Sequence, residues 1–212
     1  MTKLNALVAF DKSGIWLSFF IFLFGLQAIF SIFFDWFPAT KDLVAGVLAL
    51  SLVLVLHFRL RVPRLTSIFL PLSFIPHFAG QYELVKYNAY YTGSLYGAPQ
   101  LYYHYDWFVH FFAMFCISIA FSAMTFKFFM KGFRSKTAIL FIVLFFCLGL
   151  GSLNEMMEFV GFETLGYGKG FLEYGAGDNS PYEGPWRNSS LDQVFNLFGG
   201  LVGTASYLLL KR

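Results

Sequence analysis

"LTSIFLPLSFIPHFA", residues 65–79, decides how many times this chain crosses a bilayer. The run is apolar, but Pro71 and Pro76 lie inside it and Pro63 stands just before it. Each proline withholds a backbone donor and bends or breaks a helix. A helix needs about 20 apolar residues to cross a hydrocarbon core of roughly 30 Å. The segment is therefore expected to be kinked or re-entrant and shielded by neighbouring helices.

Around it lie five plainer runs, at 15–34, 43–58, 107–126, 137–162 and 191–210. The first is longer than a signal-peptide core and has no small-residue cleavage site after it, so it reads as retained. Lysine and arginine concentrate on the cytoplasmic side of a membrane protein. The basic clusters are Arg59, Arg61 and Arg64; Lys127, Lys131, Arg134 and Lys136; and Lys211 with Arg212, to which Lys3 and Lys12 add. Six crossings put 11 of the 15 basic residues on one side and 11 of the 12 acids toward the other. Five crossings would send the cluster after the fourth run to the wrong face. The expected fold is an all-α, polytopic membrane bundle of about six transmembrane helices, one domain over 1–212, with both termini cytoplasmic. Residues 80–105 and 163–189, rich in Gly, Tyr, Pro and acids, are its outer loops.

Composition agrees with this reading. The chain is 58% hydrophobic, 22% aromatic and 13% charged, and its 30 Phe and 12 Tyr exceed what a soluble core of 212 residues buries. The net charge of +3 is accounted for by the inner-side clusters, so it points to no nucleic-acid partner. Cys116 and Cys147 both fall in apolar runs and read as small buried hydrophobes, not a disulfide or metal pair.

The polar residues of the later spans gather at one depth. Asp106 and His110 open the fourth span, Asn154, Glu155 and Glu158 lie near the end of the fifth, Asp192 and Asn196 open the sixth, and His77 ends the third. Residues three or four apart share a helix face, so three helices each offer a polar pair toward one outward-facing site. Simpler uses exist for some of them. Asp106 suits a helix cap, Asp192 suits a first turn opened by a Ser190–Gln193 capping box, and His110 suits a hydrogen-bonded interfacial position.

Glu155 and Glu158 fit a structural use least. Two carboxylates near the C-terminal end of a membrane helix oppose the helix dipole and each other, so one needs a proton, a basic partner or a cation. His110, His77, Arg187 or a metal would serve. His110, Glu155 and Glu158 have ligand types suited to zinc or a non-haem transition metal, although D-x3-H with E-x2-E is not a specific metal signature. Gly199 and Gly203 form a G-x-x-x-G step that favours close packing within the bundle over dimerisation.

The order of these motifs resembles the VanZ-like superfamily, and within it the YjdF-type bacterial inner-membrane proteins. The matching residues are Asp106, His110 and Phe111; Glu155 and Glu158; and Arg187, Asp192 and Asn196 followed by Gly199 and Gly200. The stretch "PHFAGQY", with His77, Gly80 and Tyr82, looks like the YjdF branch. The likeness covers roughly residues 70–205. Trp107 stands where the family usually has a basic residue, and Glu158 where VanZ proteins often have Gln.

The resemblance implies a role in envelope physiology and low-level glycopeptide resistance, without an agreed reaction. Catalytic roles are expected for Asp106, His110, Glu155, Glu158 and Asp192, and substrate contacts for His77, Tyr82, Arg187 and Asn196. The expected setting is the inner membrane, with a divalent metal as cofactor and a lipid headgroup or lipid-linked envelope precursor as substrate. The chemistry would be hydrolysis or group transfer, with Glu155 or Glu158 as base and His110 as acid or ligand. A non-catalytic accessory or structural protein, or a proton- or cation-binding transporter, are the alternatives.

Overall fold

The computed structural model describes residues 12–34, 40–81, 91–93, 101–103, 105–129, 135–166 and 184–211. Its helices are α1 (Lys12–Phe34), α2 (Thr40–Leu60), α3 (Arg64–Leu72), α4 (Ile75–Gln81), α5 (Tyr105–Phe128), α6 (Lys136–Leu165) and α7 (Gly184–Leu210). A small antiparallel ladder, β1 (Tyr91–Gly93) with β2 (Leu101–Tyr103), lies between α4 and α5. Five helices, α1, α2, α5, α6 and α7, are long and apolar enough to cross a membrane, and the fold is a polytopic helical membrane bundle.

The expected third span, 65–79, is not a continuous helix. It breaks at Ser73–Phe74 into α3 and α4. Pro76 offers no N–H to the Leu72 carbonyl and its ring crowds that turn. Ser73 closes α3 instead, its N–H shared between the carbonyls of Phe69 and Leu70 at 3.1 and 3.3 Å and its hydroxyl donating to Leu70 at 2.6 Å. The pair still runs the length of α5, antiparallel to it. Thr66 donates to the Ala120 carbonyl at 2.8 Å, Phe69 meets the ring of Phe115, and the Tyr105 hydroxyl donates to the Pro76 carbonyl at 2.8 Å. The two short helices are thus sheltered along α5, as irregular backbone at membrane depth must be.

The two ends of the bundle differ. At one, Ser31 of α1 bonds Thr40 of α2 at 2.6 Å, and α4 meets the start of α5. At the other, Lys127 reaches the carbonyls of Leu60 and Arg61, where Arg61 adopts φ 54° to end α2 and the cation suits the helix terminus. Among the described residues, Arg59, Arg61, Arg64, Lys127, Lys136, Lys211 and Lys12 fall at the second end. Every described acid lies toward the first.

Packing divides the bundle into two regions. α1 and α2 bury Leu17, Phe20, Phe24 and Ala28 against Leu43, Leu50 and Phe78, with Phe24 edge-on to Phe78 at 5.1 Å between centroids. α5, α6 and α7 form the other region. A Cβ at Gly199 or Gly203 would collide with the carbonyls of Phe111 or Phe115, so the glycines let α7 lie directly on the α5 backbone, as expected for packing within one chain. Met114, Ile139, Val143 and Cys147 close the α5–α6 seam, and both cysteines are free and buried. The outer faces carry exposed apolar rings, among them Phe33 at 79% and Phe145 at 71%, as lipid contact requires.

Helix α7 starts at Gly184, not near residue 191. The capping box expected at Ser190 and Gln193 is absent because both residues sit inside the helix. Pro185 suits a first helical turn, where its missing N–H has no intrahelical acceptor to satisfy. Two further turns of polar helix are thereby set against α5 and α6.

Candidate functional site

The N-terminal part of α5 is fixed by the glycine contact of α7, and this sets the depth of Asp106 and His110. Asp106 occupies the first turn of α5, inside the helix and not at its cap, where its carboxylate is favoured by the helix terminus. It is also buried and turned toward His110 one turn later. Asp192 and Asn196 lie in α7 with no exposed surface, while Glu155 enters from α6.

These side chains converge on one imidazole. His110 Nε2 stands 3.6 Å from Asp106 Oδ1, 3.9 Å from Glu155 Oε1 and 3.9 Å from Asp192 Oδ1. The opposite nitrogen, Nδ1, meets Asn196 Oδ1 at 3.2 Å. An amide oxygen only accepts, so Nδ1 carries the hydrogen and Nε2 faces the carboxylates. Asn188 Nδ2 donates to Asp192 Oδ2 at 2.9 Å, fixing that carboxylate from one turn earlier. Asp192 Oδ1 and Glu155 Oε1 are buried without a hydrogen-bond partner.

Gly151 of α6 completes the arrangement. A side chain there would strike the Asn196 amide and crowd Gln193, so the absent Cβ admits Asn196 between α6 and α7. Beside Glu155 an open cleft of about 480 Å³ lies between the same two helices, lined by Ser152, Glu155, Ser189, Ser190 and Gln193. Glu155 therefore borders both the carboxylate cluster and the cleft.

The other expected site residues fall elsewhere. Glu158 accepts from Asn154 Nδ2 at 2.5 Å, and the trio whose ligand atoms lie within 4.8 Å of one another is Asp106, His110 and Asp192. His77 pairs with Asp42 of α2, Nε2 to Oδ2 at 3.2 Å, both buried. Arg187 is exposed on α7. Tyr82 lies outside the described residues. His57, expected at the interface, is buried at the end of α2. Trp107 stacks on Phe195 at 5.2 Å, so the position that is basic in the resembling family here joins α5 to α7.

Sequence reading did not single out Asn188 or Asp42, and it gave Gln193 only a capping role. The N-x3-D spacing of Asn188 and Asp192 was a usable signal once the helix was known to start at Gly184. Nothing local marks Asp42, which becomes significant only through its neighbour in α4.

Five helices long and apolar enough to cross a membrane, packed in two regions around a buried cluster of one histidine and three carboxylates, define a polytopic helical membrane protein with a buried polar centre. The chain belongs to the family described as predicted membrane protein (DUF2238), whose family model matches residues 8–212. No curated protein and no solved structure matches it.

Proposed function

We propose that this protein is a membrane-embedded enzyme of the VanZ-like, YjdF-type group that acts on a lipid headgroup or lipid-linked envelope precursor by hydrolysis or group transfer. The observation that carries the reading is the position of Glu155, with one face on the His110 cluster and the other on the serine-lined cleft. A headgroup held in the cleft by Ser152, Ser189, Ser190 and Gln193 comes within reach of that carboxylate. Glu155 takes the proton of the attacking water or hydroxyl as its oxygen bonds to the electrophilic centre, then returns it to the departing oxygen. His110, which faces Glu155 at 3.9 Å, positions it, and Asp106 and Asp192 hold His110 in turn.

The separation of basic and acidic residues between the two ends supports an inner-membrane orientation with both termini cytoplasmic and the cleft toward the outer side. The order of Asp106, His110, Glu155, Asp192 and Asn196 supports the VanZ-like affiliation.

The test is Glu155→Gln, which keeps shape and removes the base. Membranes from cells making wild type are expected to differ in polar-lipid or lipid-linked-precursor profile from those making the Gln variant at equal protein level and equal melting temperature. Identical profiles would exclude the enzymatic reading and leave the accessory role, in which the cluster only ties α5, α6 and α7 together.

A further inference from the structure

We propose that Asp106, His110 and Asp192 hold one divalent transition-metal ion, with Asn188 and Asn196 orienting the ligands and Glu155 standing beside it. The proposal deepens the enzymatic reading of the same site but does not need it, since the ion is argued from spacing alone.

Asp106 Oδ1 and Asp192 Oδ1 stand 3.6 and 3.9 Å from His110 Nε2. That is too long for hydrogen bonds, which lie at roughly 2.7–3.2 Å. It is the spacing of ligands around a shared ion, because two donors each about 2.1 Å from one metal lie roughly 3.4 Å apart at the tetrahedral angle and about 4.2 Å when opposed. The ligand atoms of Asp106, His110 and Asp192 all lie within 4.8 Å of one another, a group compact enough to surround one ion.

Partnership of the remaining atoms gives an independent indication. Asp192 has no exposed surface, its Oδ2 is held by Asn188, and its Oδ1, aimed at His110, has no partner. Glu155 Oε1 is likewise unpartnered. Buried polar atoms almost always find partners, so two orphans directed at one ring nitrogen mark a missing participant. No arginine supplies it from α7, where Arg187 is exposed. The ring nitrogen opposite Nε2 is bonded to Asn196, an outer contact of the kind that fixes the tautomer of a ligating histidine.

The donor set selects the class of ion. One imidazole with two carboxylates suits manganese, iron or zinc better than a soft ion, and the imidazole disfavours magnesium and calcium. Glu155 and Glu158, expected as ligands, are replaced in the set by Asp106 and Asp192.

The experiment uses the full chain in lipid nanodiscs, stripped with chelator, loaded with Mn²⁺, freed of excess ion and analysed for metal. One Mn²⁺ per chain is expected in wild type. His110→Gln and Asp192→Asn are expected to lose it, and Asn196→Ala to bind roughly 10–100-fold more weakly. Spin-echo spectra of the Mn²⁺-loaded wild type should show coupling to one imidazole nitrogen, a readout that needs no variant to fold. No retained metal, equal metal in Asp192→Asn, or Mn²⁺ without nitrogen coupling would each overturn the site. Metal retention together with identical lipid profiles for wild type and Glu155→Gln removes the enzyme but keeps the site. The reverse combination removes only the metal.

Discussion

Two buried histidines, one in each region of the bundle, meet carboxylates in different ways. His77 closes on Asp42 at 3.2 Å, a hydrogen-bond distance, and ties α4 to α2 beside the aromatic core. His110 stands among three carboxylates at 3.6–3.9 Å, with oxygens left unpartnered. A closed pair needs nothing else and serves as a fastener. An open ring stores unsatisfied charge, which a protein keeps only where something else is to be bound or moved.

The difference can be broken most severely at Gly199. Gly199→Leu drives a side chain into the Phe111 carbonyl and separates α7 from α5. We expect a loss of about 3 kcal/mol or more, read as failure to recover monodisperse protein, while Gly25→Leu, whose site has open space, is recovered normally.

Neutralising one carboxylate in each region is the sharper comparison. Asp42→Asn should cost about 2–3 kcal/mol, because it weakens a buried pair and leaves His77 poorly matched. Asp192→Asn in metal-free protein should change stability by less than about 1 kcal/mol, or raise it, because the amide oxygen still accepts from Asn188 while an unpartnered buried charge disappears. Thermal melts of both in one detergent check the pair. Equal losses would mean that the ring is as structural as the fastener.

The smallest effect is expected on the lipid-facing surface. Phe33→Leu and Phe145→Leu should each shift stability by less than about 0.5 kcal/mol, since those rings touch few protein atoms. A larger loss at either would show that another chain covers that face.

Much of this architecture was legible in the sequence. Apolar runs and basic clusters led to the passes, and the i, i+4 pair of Asp106 and His110 led to the wall of the site. Segment 65–79 was recognised as irregular from its prolines, but its division at Ser73 follows from which carbonyl Pro76 deprives of a donor. Asp192 read equally well as a cap residue until the helix proved to begin at Gly184. Asp42 and the isolation of Glu158 from the trio were not legible, because each depends on a contact between helices distant in sequence.

The broken segment 65–79 also bears on how the protein is made. α3 and α4 together contain three irregularities, at Pro71, Ser73 and Pro76, and their partners for shelter, Ala120, Phe115 and Tyr105, all emerge from the ribosome later. The segment cannot settle in lipid alone without exposing backbone, so it must wait at the insertion machinery until α5 arrives. The shelter of the segment thus depends on chain that is synthesised after it.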